Sequence, residues 1–229
     1  MFNVSNLAAG YGSSVVIPEL SLSAETNEIV AVLGRNGMGK TTLFKSLMGI
    51  LPARGGQVQV DGVDLTTMES HKRVAEGLAY VPQGRMVFPT LTVEENIRTG
   101  LRLKGKNTVP DDLYSLFPVL FEMRRRKAGN LSGGQQQQLV IARALATEPK
   151  VLLLDEPTEG IQPSIIKDIA KSLKEIRKLK GLTILVSEQV LSFALDVADR
   201  LMVIDKGRFV YENTRENVDS DKIARYLAV

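Results

Sequence analysis

The amino-acid sequence predicts an α/β protein in which a mainly parallel β-sheet is covered by helices on both faces. Three observations favour this fold class. Short continuous apolar runs have the length of strands, amphipathic segments alternate with them, and the composition is aliphatic, with 5% aromatic residues and no Trp. Strands buried on both faces are apolar throughout, and strands that alternate with helices pair in parallel. The 229 residues suit a single large domain, or one domain with an inserted subdomain.

The N-terminal region predicts short strands. They occupy residues 2–25, on both sides of Gly10-Tyr11-Gly12, and a further strand at 57–60 precedes the turn Asp61-Gly62. Between them, residues 28–33 form a continuous apolar run, which predicts a buried strand.

A glycine-rich loop follows the buried strand and fits the pattern G-x-x-x-x-G-K-[ST] without a mismatch. A helix start comes next, because apolar residues recur at helical spacing until Gly49, which predicts a C-terminal cap. The glycines let backbone N–H groups surround an anion. Lys40 would reach the β- and γ-phosphates of a nucleotide, and the Thr41 hydroxyl would bind Mg²⁺. The loop residues are Gly34, Arg35, Asn36, Gly37, Met38, Gly39, Lys40, Thr41 and Thr42.

The middle of the chain combines a short strand with helical segments. Residues 78–81 are apolar and end at a proline, whereas residues 90–128 predict helices. Thr92 and Glu95 have the spacing of a capping box. The basic run 124–127 predicts a solvated helix face.

The C-terminal half predicts alternating strands and helices. The predicted strands are 150–155, 182–186 and 200–205, and 208–211 forms an antiparallel partner after Gly207. An amphipathic helix lies between the first two strands, with Ile165, Ile169, Leu173 and Ile176 opposite a basic face. Residues 214–229 predict a short polar helix or tail.

Two further clusters indicate nucleotide chemistry. Asp155 and Glu156 follow a buried strand, at the sheet edge where ligands bind in parallel sheets. One carboxylate can hold Mg²⁺, and the other can orient or deprotonate an attacking water. Ser132 caps a helix that begins at Gly133 and Gly134, leaving N–H groups that point outward. One chain with one phosphate loop has no evident need for this second anion site, but two chains packed head to tail would use it.

Composition excludes several classes. No cysteine is present, so a disulfide framework or zinc-thiolate site is not possible. The net charge of +3, from 29 basic and 26 acidic residues, is too small to indicate nucleic-acid binding. No signal-peptide pattern and no apolar run of about 20 residues is found, so we expect any work at a membrane to depend on partners.

With these motifs in this order, the chain resembles the ATP-binding subunits of ABC transporters over nearly its whole length. The resemblance implies a P-loop NTPase fold: a single ABC nucleotide-binding domain over 1–229. A RecA-like core with an antiparallel β-subdomain would occupy 1–84 and 146–229. A helical subdomain carrying the signature motif would occupy 85–145.

The resemblance also implies site roles. Tyr11 would stack on adenine, and Gln83 would sense both Mg²⁺ and a membrane subunit. Asp155 would bind the metal, and Glu156 would be the catalytic glutamate. The signature motif would complete the ATP site of an opposing subunit; its residues are Ser132, Gly133, Gly134 and Gln135.

Two departures from the family pattern point to a subgroup. Gln189 stands where a histidine usually contacts the γ-phosphate, and Gln162 stands where many members carry Asp. The only histidine, His71, lies far away in sequence and is expected on the surface. Both departures, together with the amino-acid sequences of the loops, resemble those of the second ATPase subunit of bacterial branched-chain amino acid importers. Within that subgroup they lean towards the urea and short-chain amide branch.

This resemblance implies ATP hydrolysis with Mg²⁺, coupled to import. The implied partners are integral-membrane permease subunits, a second ABC ATPase subunit that is identical or related, and indirectly a periplasmic or extracellular solute-binding protein, with no nucleic acid. The protein would lie at the cytoplasmic face of the bacterial inner membrane, and segment 85–92 is the predicted contact to the permease. A soluble, non-transport ABC ATPase acting in cofactor assembly stays open as an alternative.

Overall fold

A computed structural model describes residues 1–228 and shows two β-sheets. The strands within these residues are β1 (Phe2–Tyr11), β2 (Ser14–Ala24), β3 (Ile29–Leu33), β4 (Gly55–Val60), β5 (Val63–Asp64), β6 (Leu78–Val81), β7 (Val151–Asp155), β8 (Thr183–Glu188), β9 (Arg200–Asp205) and β10 (Arg208–Thr214). The smaller sheet is antiparallel, in the order β2-β1-β4-β5. The larger has the order β10-β9-β3-β8-β7-β6.

The larger sheet is parallel from β9 to β6, and β10 adds an antiparallel edge. Strands β3 and β7 are buried at every residue. This burial explains why both appear in the sequence as continuous apolar runs. The predicted fold class, an α/β protein with a mainly parallel core sheet and an antiparallel β-subdomain, is confirmed.

Helices cover both faces of the larger sheet. They are α1 (Lys40–Leu47), α2 (Ser70–Ala75), α3 (Val93–Leu101), α4 (Asp111–Leu116), α5 (Pro118–Glu122), α6 (Gly133–Leu145), α7 (Pro163–Lys180), α8 (Leu191–Val197) and α9 (Ser220–Leu227). Alternate residues of a strand face opposite sides. Val30 and Val32 accordingly join one apolar core, with α1 and the antiparallel sheet. Ala31 and Leu33 join the other core, with α3, α6 and α7.

The region between β6 and β7 contains α3 to α6. Helix α3 begins with the predicted capping box of Thr92 and Glu95. The basic run 124–127 is exposed or half-buried, but the prediction that it lies on a helix face is wrong, because residues 124–126 form a turn and a bend after α5 and Lys127 pairs with Thr92 in a β-bridge. The backbone carbonyls of Arg124 and Arg126 accept hydrogen bonds from the first turn of α3, at 3.0 Å each, which hold this run against α3 in a non-helical conformation.

The C-terminal elements agree with the predicted pattern. Helix α7 buries Ile169, Leu173 and Ile176 and turns its basic face outward, where Lys174 pairs with Asp196 at 2.7 Å. Helix α9 packs through the buried Ile223. Within residues 1–228, none of the helices is both long enough and apolar enough to cross a bilayer.

Candidate functional site

The glycine-rich loop joins β3 to α1 and depends on glycine for two reasons. Gly37 and Gly39 have φ of +82° and +107°, a left-handed conformation that glycine adopts without strain. Gly34 has ordinary φ but no room, since a Cβ there would lie 2.7 Å from the carbonyl oxygen of Ile204. The loop therefore follows a path close to the backbone of β9.

A cavity of about 390 Å³ opens in front of this loop. Its lining includes most of the predicted phosphate-binding residues and three of the four predicted catalytic ones, Lys40, Gln83 and Glu156; the other predicted residues in the lining are Asn36, Gly37, Gly39, Thr41 and Thr42. Arg35 and Met38 are not among the lining residues. The Arg35 guanidinium instead donates a hydrogen bond to the carbonyl of Ala228 at 3.3 Å, and Met38 packs against the core around α1.

Lys40 is buried and turned back onto its own loop. Its Nζ donates hydrogen bonds to the carbonyls of Gly34 at 2.6 Å and Arg35 at 3.0 Å. It also forms an ion pair with Oε1 of Glu156 at 3.0 Å. Both charged side chains are almost fully buried, so each compensates the charge of the other. The predicted phosphate ligand and the predicted catalytic acid thus bind each other.

Asp155 lies at the carboxyl end of β7 and is 1% exposed. Its carboxylate accepts hydrogen bonds from the hydroxyls of Ser187 at 2.6 Å, Tyr80 at 3.1 Å and Thr41 at 3.4 Å. Burial raises the pKa of Asp155, while these hydrogen bonds oppose the rise. Thr41 and Asp155 thus bring a hydroxyl and a carboxylate together, oxygen ligands of the kind that Mg²⁺ prefers.

Glu156 is the point where the predicted catalytic residues meet. Besides Lys40, its carboxylate accepts hydrogen bonds from the amide of Gln189 at 3.1 Å and from that of Gln83 at 3.5 Å. The backbone of Glu156 has φ of +48°, which is uncommon for a residue other than glycine. Its N–H donates to the carbonyl of Ser187 at 3.0 Å, which anchors this conformation to β8.

Gln83 and Tyr11 lie at the outer parts of this region. The Gln83 amide also donates to Oε2 of Glu159 at 2.9 Å, so it connects the segment after β6 with the loop after β7. Tyr11 is 47% exposed at the end of β1, paired with Ser14, and does not line the cavity. Val16, on the other strand of the same hairpin, does line it.

The signature segment lies away from this cavity. Ser132 and Gln135 form a reciprocal capping box at the start of α6, with hydrogen bonds of 3.3 and 2.9 Å. Ser132 is exposed, whereas Gly134 is buried so closely that a Cβ would lie 2.5 Å from Ile165. None of the four signature residues 132–135 lines the 390 Å³ cavity. At this helix end, Ser132 is the residue that the structure leaves exposed.

Sequence reasoning missed several residues of the site. Tyr80 and Ser187 both donate hydrogen bonds to the Asp155 carboxylate. Ser187 could have been identified from the sequence, since it is a polar residue at the end of a buried apolar run. Arg85 had no such signal. It has φ of +55°, and its guanidinium lies against two glycines: a Cβ would be 2.1 Å away at Gly133 and 3.1 Å away at Gly160.

A second cavity of about 380 Å³ is largely apolar and lies between the edge strand β6 and helices α3 and α6. Phe88, Ile50 and Leu103 line it and are 47%, 53% and 66% exposed. Arg143 of α6 holds the Phe88 segment, because it donates to the carbonyl of Met86 at 2.6 Å and stacks 4.9 Å from the Phe88 ring. We call this cavity the apolar groove.

Comparisons with known proteins agree with this arrangement. The family model described as ABC transporter matches residues 17–159. The chain is 38% identical to the high-affinity branched-chain amino acid transport ATP-binding protein BraG of Pseudomonas aeruginosa, over 93% of each chain. It is 35% identical to the lipopolysaccharide export system ATP-binding protein LptB of Haemophilus influenzae, over 97% of this chain and 94% of that one.

A solved ATP-binding cassette of an ABC transporter in its ADP conformation superposes with a TM-score of 0.84 and 29% identity, covering 99% of this chain and 97% of the other. These findings confirm the resemblance drawn from the motifs. The chain therefore belongs to the ABC transporter family, as one of its ATP-hydrolysing cassettes.

Proposed function

We propose that this cassette powers an importer of branched-chain amino acids or of a related small polar solute such as urea or a short-chain amide. One observation carries the proposal. Gln83 contacts the Glu156 carboxylate in the phosphate cavity, and its chain segment continues directly into the apolar groove. A change at the groove can therefore reach the reacting carboxylate through a few covalent bonds.

Nucleotide binding is assigned to the phosphate loop. The backbone of 37–42 and the Lys40 ammonium hold the phosphates, and Tyr11 stacks on adenine. The buried Lys40–Glu156 ion pair has to open for this, because both groups line the same cavity. Phosphate oxygens replace Glu156 as partners of Lys40, and the exchange leaves the Glu156 carboxylate free to accept a hydrogen bond from water.

The donor set around Asp155 fits a magnesium ion, since Thr41 and Asp155 already approach within 3.4 Å. Gln83, which also lines the cavity, would supply a further amide oxygen to the ion. A bound Mg²⁺ would neutralise charge on the phosphate oxygens. Ser187 and Tyr80 keep the carboxylate oriented towards Thr41.

Hydrolysis is assigned to Glu156, which positions and polarises water for in-line attack on the γ-phosphate. Gln189 donates its amide to the same carboxylate, where it fixes the direction of that group. Positioning and charge neutralisation supply most of the acceleration in phosphoryl transfer. Gln189 orients the Glu156 carboxylate without the positive charge that a histidine could carry.

The signature residues Ser132, Gly133, Gly134 and Gln135 are assigned to the ATP of a second cassette, identical or related. Ser132 is exposed at the N-terminus of α6, outside the cavity of its own chain, and this position supports the assignment. ATP between two cassettes would hold them together, and hydrolysis would let them reopen. The RecA-like core and helical subdomain predicted at 1–84 and 146–229 and at 85–145 would be the parts that move.

The apolar groove is assigned to integral-membrane permease subunits. Exposed large apolar side chains around one cavity mark an interaction surface. This partner would hold the cassette at the cytoplasmic face of the bacterial inner membrane and connect it indirectly with a solute-binding protein. The likeness to BraG supports import. The presence of Gln at positions 189 and 162 supports membership of the branched-chain subgroup.

Export of a lipid is a second candidate, because the likeness to LptB is nearly as great as that to BraG. Reconstitution separates the candidates. The cassette is co-expressed with its permease partners, and uptake of leucine, urea and acetamide into membrane vesicles is measured with ATP on the cassette side. Uptake of one of them supports import, whereas extraction of lipid without uptake supports export. ATP hydrolysis unaffected by any membrane partner would favour the soluble, cofactor-assembly alternative.

A matched pair of variants tests the groove. Phe88 and Phe121 are both 47% exposed and both stack against an arginine, Arg143 and Arg124 respectively. Only Phe88 lines the apolar groove. We expect Phe88→Ala to lose co-sedimentation with permease-containing membranes and Phe121→Ala to retain it. Equal loss in both variants would refute the assignment of the groove.

A further inference from the structure

The buried carboxylate of Glu188 joins two segments of the site. The side chain is 2% exposed at the end of β8. Its Oε1 accepts hydrogen bonds from the backbone N–H of Thr158 at 3.0 Å and from the Thr158 hydroxyl at 2.7 Å. Its Oε2 accepts from the backbone N–H groups of Gln189 at 3.0 Å and Val190 at 3.4 Å. One side chain thus connects the loop after β7 with the segment after β8.

A carboxylate at this position is expensive. Burial raises the pKa of Glu188, and the hydrogen bonds from Thr158 and the backbone only partly offset that rise. An apolar residue of similar size would fill the same space without a desolvation cost. The same replacement would leave the four donors that now bond to the Glu188 carboxylate without an acceptor. Packing alone therefore does not account for this residue.

Both connected segments carry proposed catalytic residues. Glu156 lies two residues before Thr158, and Gln189 directly follows Glu188. The Gln189 amide reaches the Glu156 carboxylate at 3.1 Å. We propose that Glu188 is a positioning residue for ATP hydrolysis, which clamps Thr158 to the backbone after β8 and thereby fixes Glu156 relative to Gln189. This inference rests on the role of Glu156 proposed above.

The backbone at Glu156 gives the clamp its task. A left-handed φ of +48° in a glutamate persists only when its surroundings determine it from several sides. Ser187 holds the N–H of Glu156, and the clamp holds Thr158 on the other side. The Glu188 carboxylate bonds to Thr158 and to the backbone after β8, not to the phosphate loop or Lys40. The backbone carbonyl of Glu188 does accept a hydrogen bond from the N–H of Gly34 at 3.1 Å, but a side-chain substitution leaves that bond in place. The clamp therefore acts on the reacting carboxylate.

The test measures steady-state ATP hydrolysis and ATP affinity of the full chain, using Thr158→Val, Thr158→Ser and Glu188→Ala. Valine has the shape of threonine but removes the 2.7 Å hydroxyl contact, whereas serine retains it. We expect kcat to fall about tenfold or more in Thr158→Val and Glu188→Ala, because small displacements of a reacting group are costly. ATP affinity should stay within about twofold, and Thr158→Ser should restore turnover.

Thr183→Val is the matched control. Thr183 lies on the same strand as Glu188, at its other end, is 3% exposed, and donates its hydroxyl to the carbonyl of Glu25 at 2.8 Å. The substitution removes a comparable buried hydrogen bond far from Glu156. A purely structural role for Thr158 predicts that both valine variants lose the same thermal stability and the same turnover. Positioning predicts a fall in kcat for Thr158→Val alone.

The double variant Thr158→Val/Glu188→Ala completes the comparison. Residues that share one interaction are not additive, so its kcat should resemble that of Glu188→Ala. The proposed clamp would be refuted if kcat of Thr158→Val were unchanged, or if kcat and ATP affinity decreased by the same factor. If Glu188→Ala does not fold, the valine and serine variants at Thr158 still decide. Unchanged turnover in Glu156→Gln would instead contradict the role proposed for Glu156, which keeps the two failures distinct.

Discussion

The carboxyl edge of the parallel sheet and the N-terminal end of α6 both offer groups for phosphate, but they differ in how they are satisfied. At the sheet edge, Lys40, Asp155 and Glu156 are buried and bind one another or their neighbours. At the helix end, Ser132 is exposed, and its capping box with Gln135 is local. The first region is complete within one chain, and the second ends at the surface.

This difference indicates what each region is for. Buried charges are stable only when they are compensated, so the sheet edge has to exchange partners when a nucleotide arrives. An exposed helix N-terminus does not need charge compensation within its own chain and can bind an anion that another molecule supplies. The proposed ATP site therefore combines one half that rearranges within the chain and another that is contributed by a second chain.

The largest expected effect concerns the acid of the sheet edge. Glu156→Gln keeps the side-chain size but removes the charge that polarises water, so we expect ATP turnover to fall by about three orders of magnitude or more. ATP binding should persist, and an ATP-bound dimer should accumulate. Phosphate release and size-exclusion chromatography measure both. Glu159→Gln is the control, since an amide there still offers an oxygen to Gln83. Normal turnover in Glu156→Gln would remove Glu156 from its role.

Lys40→Ala tests the other member of the buried ion pair. The substitution removes the ammonium and leaves the Glu156 carboxylate buried without its cation. We expect ATP affinity to fall about a hundredfold, because charge-assisted contacts to phosphate are strong. Lys45 lies on the same helix with a half-exposed side chain, and Lys45→Ala should bind ATP normally. Equilibrium binding of a fluorescent ATP analogue compares the two, and equal affinities would refute the assignment of the phosphate loop.

Ser132→Ala tests the helix end by itself. Loss of an N-cap costs about 1 kcal/mol of stability, so the melting temperature should decrease slightly. ATP binding to the separate chain should not change, because Ser132 does not line its cavity. Turnover should fall about tenfold, since the cap also orients N–H groups towards the opposing ATP. A parallel decrease in ATP affinity would mean that the two regions belong to one and the same half-site.

Gln189→His should have the smallest effect. The imidazole can donate to the Glu156 carboxylate as the amide does, and it can also carry a positive charge beside the phosphate. We expect kcat to stay within about threefold of the wild type or to rise. Steady-state ATPase assays across pH 6 to about 8 would detect the imidazole as a new titration. A collapse of activity would show that position 189 does not face the γ-phosphate.

The sequence predicted those features that depend on neighbouring residues. The glycine loop, the capping box at Thr92, the helix cap at Ser132 and the buried strands all follow local rules, and the structure has them. The helical assignment of run 124–127 was wrong because its carbonyls bond to α3, about 30 residues earlier, which no local pattern encodes.

The site was predictable in its motifs but not in its contacts. Lys40 and Glu156 were assigned separate roles, and only the tertiary structure shows that they form an ion pair. Val16 enters the cavity from the antiparallel sheet, and Arg85 reaches two glycines in distant segments. These side chains belong to elements far apart in the sequence, so their approach depends on how the sheets pack rather than on spacing.

The ion pair between Lys40 and Glu156 also bears on the end of each reaction cycle. When the cleaved phosphate leaves, the ammonium does not have to remain bare in a buried site, since its carboxylate is within reach. Re-formation of the pair competes with rebinding of the product and at the same time withdraws the acid from water. In the proposed cycle, the nucleotide-free cassette is therefore held in an inactive state. Hydrolysis occurs only after a new nucleotide has separated the two charged side chains.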